Sequence, residues 1–176
     1  MKKIILIMFV CLSLYLYNKA DKKEEVVRIP DSAIRFRVLA NSNSPRDQKI
    51  KEDIRDKMQE ELYNLLKSTK STSEARKLIN ENMDDFNNIL QTEMKDKEYS
   101  YTLDYGMHEF PEKTYKGITY EEGFYESLLV TLGKGEGDNW WCVLFPPLCL
   151  LEAEESANTT EIEYKSFIKE IIEKYF

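Results

Sequence analysis

Residues 133–151, G-K-G-E-G-D-N-W-W-C-V-L-F-P-P-L-C-L-L, limit what this chain can fold into more than any other stretch. They hold both tryptophans, two of the three cysteines, two of the five prolines and three of the six glycines. Gly133, Gly135 and Gly137, with Glu136 and Asp138, make a flexible acidic turn. That turn runs straight into an apolar segment from Trp140 to Phe145, which Pro146-Pro147 stops. Glycines release the backbone, prolines lock it, and adjacent indoles demand two large separate contacts. A chain that concentrates all three is built around one particular path at this point.

The remainder reads as scaffold and delivery. Residues 4–17 are apolar apart from Ser13 and follow the basic pair Lys2-Lys3. Fourteen residues of helix rise only about 21 Å, short of the roughly 20 residues that cross a bilayer unaided. The length fits a signal-peptide h-region. Tyr17-Asn18-Lys19-Ala20 lacks a small-x-small cleavage pattern, so an uncleaved signal anchor is the competing reading. Either one puts residue 21 onward outside the cytoplasm. The expected organisation is a signal peptide or anchor over 1–20, a charged linker over 21–32 and a single domain over 33–176. Without the three leader lysines the net charge falls from −7 to −10. An acidic body is a poor nucleic-acid ligand, because phosphate neutralisation needs clustered Lys and Arg. Hydrophobic content of 42% supplies a core.

Periodicity gives the elements. Over residues 33–40, Ile34, Phe36 and Val38 alternate with Arg35 and Arg37, the pattern of a half-buried strand with a basic outer face. Ser44-Pro45 is an N-cap followed by a first-turn proline, with Asp47 beside the free amides. The helix it opens carries Ile50, Ile54, Met58, Leu62, Leu65 and Leu66 on one face, with Asp47/Lys51 and Asp53/Lys57 expected on the wet side. Ser71-x-x-Glu74 is a capping-box pattern for a second helix running to Met94. From Tyr99 to Met107 the period drops to two, marking a strand. A short strand around Gly117, a central strand over 126–132 and a strand over 140–145 follow. Asn158-x-x-Glu161 caps a last helix. Strand, two helices, a run of strands and a helix describe an α+β domain, its antiparallel or mixed sheet covered by amphipathic helices.

Candidate chemistry is sparse. Cys142 and Cys149 could form a disulfide, or remain buried thiols. Seven extended residues would separate them by more than about 20 Å, whereas a bridge needs Cα atoms about 5.5 Å apart. Pro146-Pro147 would have to fold the segment back. Cys142 with His108, oriented by Asn139 or Asp138, is the one nucleophile-and-base pairing involving the single histidine, and defines the alternative of an extracytoplasmic cysteine hydrolase. Glu136 and Asp138 lack the EF-hand spacing for calcium, and Gly133-Lys134-Gly135 lacks the phosphate-loop order. No metal or cofactor is expected. Trp140 and Trp141 on a strand point to opposite faces, leaving one for the core and one for solvent, a partner or a membrane surface.

Two blocks carry a resemblance. Ile34-Arg35-Phe36-Arg37-Val38-Leu39-Ala40-Asn41-Ser42-Asn43-Ser44, with Asp47-Gln48, Lys51 and Arg55-Asp56, resembles the opening block of the stage II sporulation protein R family. Residues 137–149, G-D-N-W-W-C-V-L-F-P-P-L-C, resemble its second and more distinctive block. Tyr115-x-Gly117 and Gly123-x-Tyr125-Glu126-Ser127-Leu128 fit the piece between. The resemblance implies a protein made in the forespore of an endospore-forming bacterium and exported into the space between the forespore and mother-cell membranes. There such a protein triggers a membrane-embedded aspartic protease that processes pro-sigma-E. It implies a signalling ligand and not an enzyme, with no family catalytic residues to carry over. On that reading Asp138, Asn139, Trp140 and Trp141, with Arg35 and Arg37 as a second contact, are the candidate partner-binding residues.

Overall fold

The computed structural model describes residues 29–115, 118–149 and 161–176. The expected leader, most of the linker, Gly117 and the Asn158 cap lie outside them. Strand β1 (Ile34–Leu39) is followed by helices α1 (Pro45–Leu66), α2 (Thr72–Glu81) and α3 (Met83–Met94). Strands β2 (Tyr101–Phe110), β3 (Lys113–Tyr115), β4 (Ile118–Tyr120), β5 (Gly123–Leu132) and β6 (Asn139–Phe145) come next, and α4 (Glu161–Tyr175) closes the chain. Four strands make one sheet in the order β2-β5-β1-β6, and β3 and β4 form a separate hairpin. β1 runs parallel to β5, with Phe36 opposite Leu128 and Val38 opposite Val130, and antiparallel to β6. β2 runs antiparallel to β5 over ten paired positions. The sheet is therefore mixed, and the fold is α+β.

Helices α1, α2 and α3 sit on one face because their apolar stripes match it. Ile50, Ile54, Met58, Leu62 and Leu66 of α1 pack on Ile34, Phe36 and Val38 of β1 and on Leu128, Val130 and Leu132 of β5. α2 adds Ala75 and Ile79, and α3 adds Phe86, Leu90 and Met94. Ser44 accepts from the Asp47 amide at 3.1 Å and starts α1. Ser71 does the same for α2 through the Glu74 amide, and the Glu74 carboxylate takes the amide of Lys70 at 3.0 Å. Arg76 of α2 forks onto Glu126 of β5 at 2.6 and 2.7 Å, and Tyr105 donates to the same carboxylate. This bidentate pair ties helix layer to sheet, and Arg76 holds Glu126 below the usual carboxylate range.

The structure corrects the sequence reading in several places. One long second helix is expected, yet it breaks at Asn82 (φ −110°, ψ 14°), whose amide side chain bonds Leu78 O at 2.8 Å. The 72–94 stripe is thereby split so that α2 and α3 each meet the sheet. The short strand expected around Gly117 is two strands. The Asp47/Lys51 pair expected on the wet side is buried, at 6% and 7% exposure. A neighbouring pair on the exposed side runs instead from Lys49 to Asp53 at 2.8 Å.

The largest correction concerns the other sheet face. β1 is not half-buried. Its Arg35 side chain is 1% exposed, inside a second cluster of Ala33, Phe110, Tyr125, Trp141 and Val143. The β3–β4 hairpin (Ile118, Tyr120) and α4 (Tyr164, Ile168) close this cluster from outside. Alternation reports two faces, and here both are covered.

Cys142 and Cys149 are joined by a disulfide with Cα atoms 5.4 Å apart. The chain reverses at Pro146-Pro147, where the Phe145–Pro146 peptide is cis and Leu148 N bonds Pro146 O at 2.7 Å. The bridge pins the reversed segment to the β6 edge of the helix-covered core. Replacing both cysteines by serine is expected to cost about 2.5 kcal/mol, the loop-closure value for so short a ring. Denaturant midpoints with and without reductant measure it. The wild type should convert to the variant's midpoint on reduction, and thiol counting in denaturant before reduction should find Cys142 and Cys149 unreactive.

Candidate functional site

The two distinctive sequence blocks meet at one end of the sheet. β5 ends in a turn where Gly133 and Gly135 have φ of +56° and +66°, a region that L side chains rarely occupy. Gly133 N bonds Ser100 O at 2.8 Å, and Gly137 N bonds Ala40 O at 2.9 Å. The turn thus lies directly on the segment that links β1 to α1. A Cβ on Gly137 would stand 2.4 Å from Ser42 O, so glycine is required for the close approach.

The 41–48 segment supplies the other half of the contact. Asn41 Oδ1 accepts from the Lys134 amide at 3.0 Å, and Asn43 Oδ1 accepts from the Asp138 amide. Gln48 Nε2 donates to Ser42 O at 3.0 Å and Asp138 O at 3.4 Å. Lys51 Nζ donates to Asp138 O at 3.3 Å and to Gln48 Oε1. Asp47 holds Asn41 and Ser42 in place. Its Oδ2 accepts from Ser42 Oγ at 2.6 Å and Asn41 Nδ2 at 2.8 Å, and its Oδ1 from Tyr99 OH at 3.0 Å. The Ser42 hydroxyl first, then Asn41, hold the Asp47 carboxyl below its usual range. Burial, then the Asp47 bond, push the Tyr99 hydroxyl up to about 12. Asn41 turns the charge of Asp47 into backbone order across the turn: it donates to the carboxylate with one end and receives Lys134 N–H with the other.

The residues singled out from sequence divide by exposure. Asp138 is exposed, and Asn139 and Trp140 are half-buried, where the turn enters β6. Trp140 packs edge-on against Phe36 at 5.7 Å, with the Arg55 guanidinium 5.6 Å from its ring. Trp141 is 7% exposed and edge-on to both Phe110 and Tyr120, at 5.4 and 5.1 Å. It is a core residue and presents no surface. The basic outer face expected from Arg35 and Arg37 is likewise not formed. Arg35 is enclosed, and half-buried Arg37 spends Nη1 on Glu109 O at 2.8 Å.

The cysteine-hydrolase pairing is not assembled. Cys142 is in the disulfide and sits on β6 facing the helices. His108 is on β2, three strand spacings or about 14 Å across the sheet. His108 instead contacts Ser127 Oγ at 2.7 Å through Nδ1 and Asp104 Oδ2 at 2.8 Å through Nε2. Sequence reasoning missed this array. Its signal was Asp104 and His108 on one face of a strand with side-chain-free Gly106 between them. Ser127 is fully buried, which keeps its hydroxyl from any substrate. Among the described residues no group of three or more His, Cys, Asp or Glu could hold a metal, and no helix is long and apolar enough to cross a membrane.

Comparison with protein families matches residues 30–155 to stage II sporulation protein R. The chain belongs to the stage II sporulation protein R family. It is similar to the stage II sporulation protein R of Bacillus subtilis (strain 168), with 41% identity over 158 residues covering 88% of this chain and 70% of that protein. No solved structure matches it. Membership places the chain among sporulation proteins. The matched region contains both blocks that close on each other through Asp47, Asn41 and the glycine turn.

Asp47→Asn should lower thermal stability at neutral pH and flatten its acid dependence. A carboxylate whose folded pKa is depressed contributes stability above its unfolded value near ~4, lost as pH falls through the folded pKa. The wild type should therefore lose melting temperature below about pH 4 more steeply than the variant. Tyr99 carries the opposite sign, its contribution present below about pH 10 and lost as pH rises toward 12. Ultraviolet tyrosinate titration should show Tyr99 ionising late in the wild type and earlier in Asp47→Asn, while Tyr105, which burial and its bond to Glu126 also hold up, stays late in both. Gly137→Ala should cost roughly 1–3 kcal/mol through overpacking against backbone. Gly106→Ala, whose Cβ would meet Asp104 Oδ2 at 3.6 Å, should cost less. Urea midpoints separate the two.

Proposed function

We propose that this chain is an exported signalling protein of endospore formation. It is delivered across the forespore membrane and activates a membrane-embedded aspartic protease of the mother-cell membrane, which then processes pro-sigma-E. The observation that carries the reading is family membership over residues 30–155, a region that includes the whole of the Asp47-centred junction. An acidic folded domain suits the role. It buries Trp141, Cys142 and Cys149 and shows a braced polar turn, so it can bind by shape with little ordering cost. A ligand of this kind works by differential affinity, binding the active state of its receptor more tightly than the inactive one. Asp138 and Asn139 are the residues proposed for contact, because Asp138 is exposed where Asn43, Gln48 and Lys51 hold its backbone, and half-buried Asn139 follows it into β6. Trp140 supports them from the Phe36 side.

The test is complementation. The full chain, expressed in the forespore of a Bacillus subtilis strain that lacks its own stage II sporulation protein R, is expected to restore pro-sigma-E processing on immunoblots. A version retained in the cytosol should not. Asn139→Ala should reduce processing several-fold while export and melting temperature stay at wild-type values. Failure of the folded, exported chain to restore processing overturns the reading. So does restoration by the cytosolic version.

A further inference from the structure

Strand β2 is an outer edge of the sheet, with β5 on one side and no strand beyond it among the described residues. It pairs with β5 over ten consecutive positions without a shift of register. In an antiparallel ladder the N–H and C=O of a residue point to the same side, and successive residues alternate. Gly133 N bonds Ser100 O at 2.8 Å, so the even-numbered residues of β2 spend their backbone groups on β5. Leu103, Tyr105 and Met107 turn theirs outward, and among the described residues no turn or loop backbone takes them up. Glu109 O, at the end of the strand, is held by Arg37. Natural edges are blunted by lysine, proline or a bulge. β2, Y-T-L-D-Y-G-M-H-E-F, has none of these.

The edge is open. Met107 is 62% exposed, Thr102 and Asp104 are exposed, and Gly106 is half-buried. Phe124, opposite Glu109 and therefore on the same face as Met107, is 67% exposed and widens the apolar surface there.

What this edge fits is itself. Turned about a two-fold axis through Gly106, β2 meets a second β2 running antiparallel. Tyr105 then stands opposite Met107 of the second copy, and the exposed thioether gains a ring. Asp104 stands opposite His108 of the second copy, and the two Asp104 carboxylates are kept apart. An axis at Asp104 would set them face to face, which is destabilising. The Gly106 axis falls on a pair that makes no ladder bonds, where strands come closest, and glycine leaves that approach open. A Cβ at Gly106 would meet only Asp104 Oδ2, at 3.6 Å.

We propose that two copies of this chain associate through β2 about a two-fold axis at Gly106, joining two four-stranded sheets into one. The proposal goes beyond the signalling role and does not rest on it.

The test uses the full chain in detergent with Cys11→Ser, which leaves the disulfide pair as its only cysteines. Sedimentation over a hundredfold range of protein concentration is expected to show a reversible dimer. Met107→Pro removes an outward N–H and no bond to β5. It should fold, with a melting temperature close to that of the parent, and weaken association tenfold or more. Gly106→Cys should form an intermolecular disulfide under mild oxidation, because facing Cα atoms of such a pair lie about 4.5 Å apart. Thr102→Cys should not, since the axis sets its two copies roughly 27 Å apart at ~3.4 Å per residue. The cross-linking arm decides even if Met107→Pro does not fold. A monomer at every concentration overturns the proposal. So does cross-linking of Gly106→Cys that is no greater than that of Thr102→Cys, and so does association unchanged in Met107→Pro, which would place the contact in the leader or the micelle.

Discussion

The amide of Gly137 against the carbonyl of Ala40, at 2.9 Å, is the contact on which the arrangement of this domain turns. It joins the end of β1 to the start of β6, two strands that must pair antiparallel across nearly a hundred residues of chain. Closing so long a loop is entropically expensive. The junction offsets that cost by satisfying several backbone groups at once, with Asn41 and Asn43 taking the amides of Lys134 and Asp138. Asp47 orients Asn41 while capping geometry starts α1 beside it. One carboxylate thus serves a helix terminus, a strand end and a glycine turn.

From this junction the two faces of the sheet diverge in character. The helix side is a conventional apolar layer, filled by α1, α2 and α3. The opposite side is built from aromatic rings around Arg35 and is roofed by a small hairpin and α4. β1 is central, between β5 and β6, so neither face of it could be left to solvent where those covers lie. An arginine in that position finds rings instead of water. The disulfide at the far end of β6 completes the frame by holding the chain that leaves the sheet against the core it has just crossed. Among the described residues, neither Cys142 nor Ser127 is an accessible nucleophile beside a base. Cys142 is oxidised and faces the helices, and Ser127 beside His108 is sealed.

Much of this was readable in advance, and the misses share a cause. Ser44-Pro45 and Ser71-x-x-Glu74 announced their helices because capping is a local matter of one side chain and one amide. The β1 strand was visible from alternation and β5 from a largely apolar run over residues 126–132. Arg35 was assigned to a wet face because a period of two sorts residues into two sets without saying what covers each. The break at Asn82 was hidden because the 72–94 stripe keeps helical spacing through it. Asp47 and Lys51 looked like a surface pair, since their burial depends on Tyr99 and Asp138, distant in sequence.

By itself, then, the amino-acid order determined where α1 and α2 begin, which side chains share a face, and that residues 133–151 would follow a special path. Those features depend on neighbours within a few residues. Only the tertiary structure decided that β1 lies between β5 and β6, that Trp141 and Arg35 are interior, that Cys142 meets Cys149, and that the 41–48 turn receives the glycine loop. Each of these is a contact between segments that the local pattern leaves free, set by which surfaces fit once the sheet order is chosen.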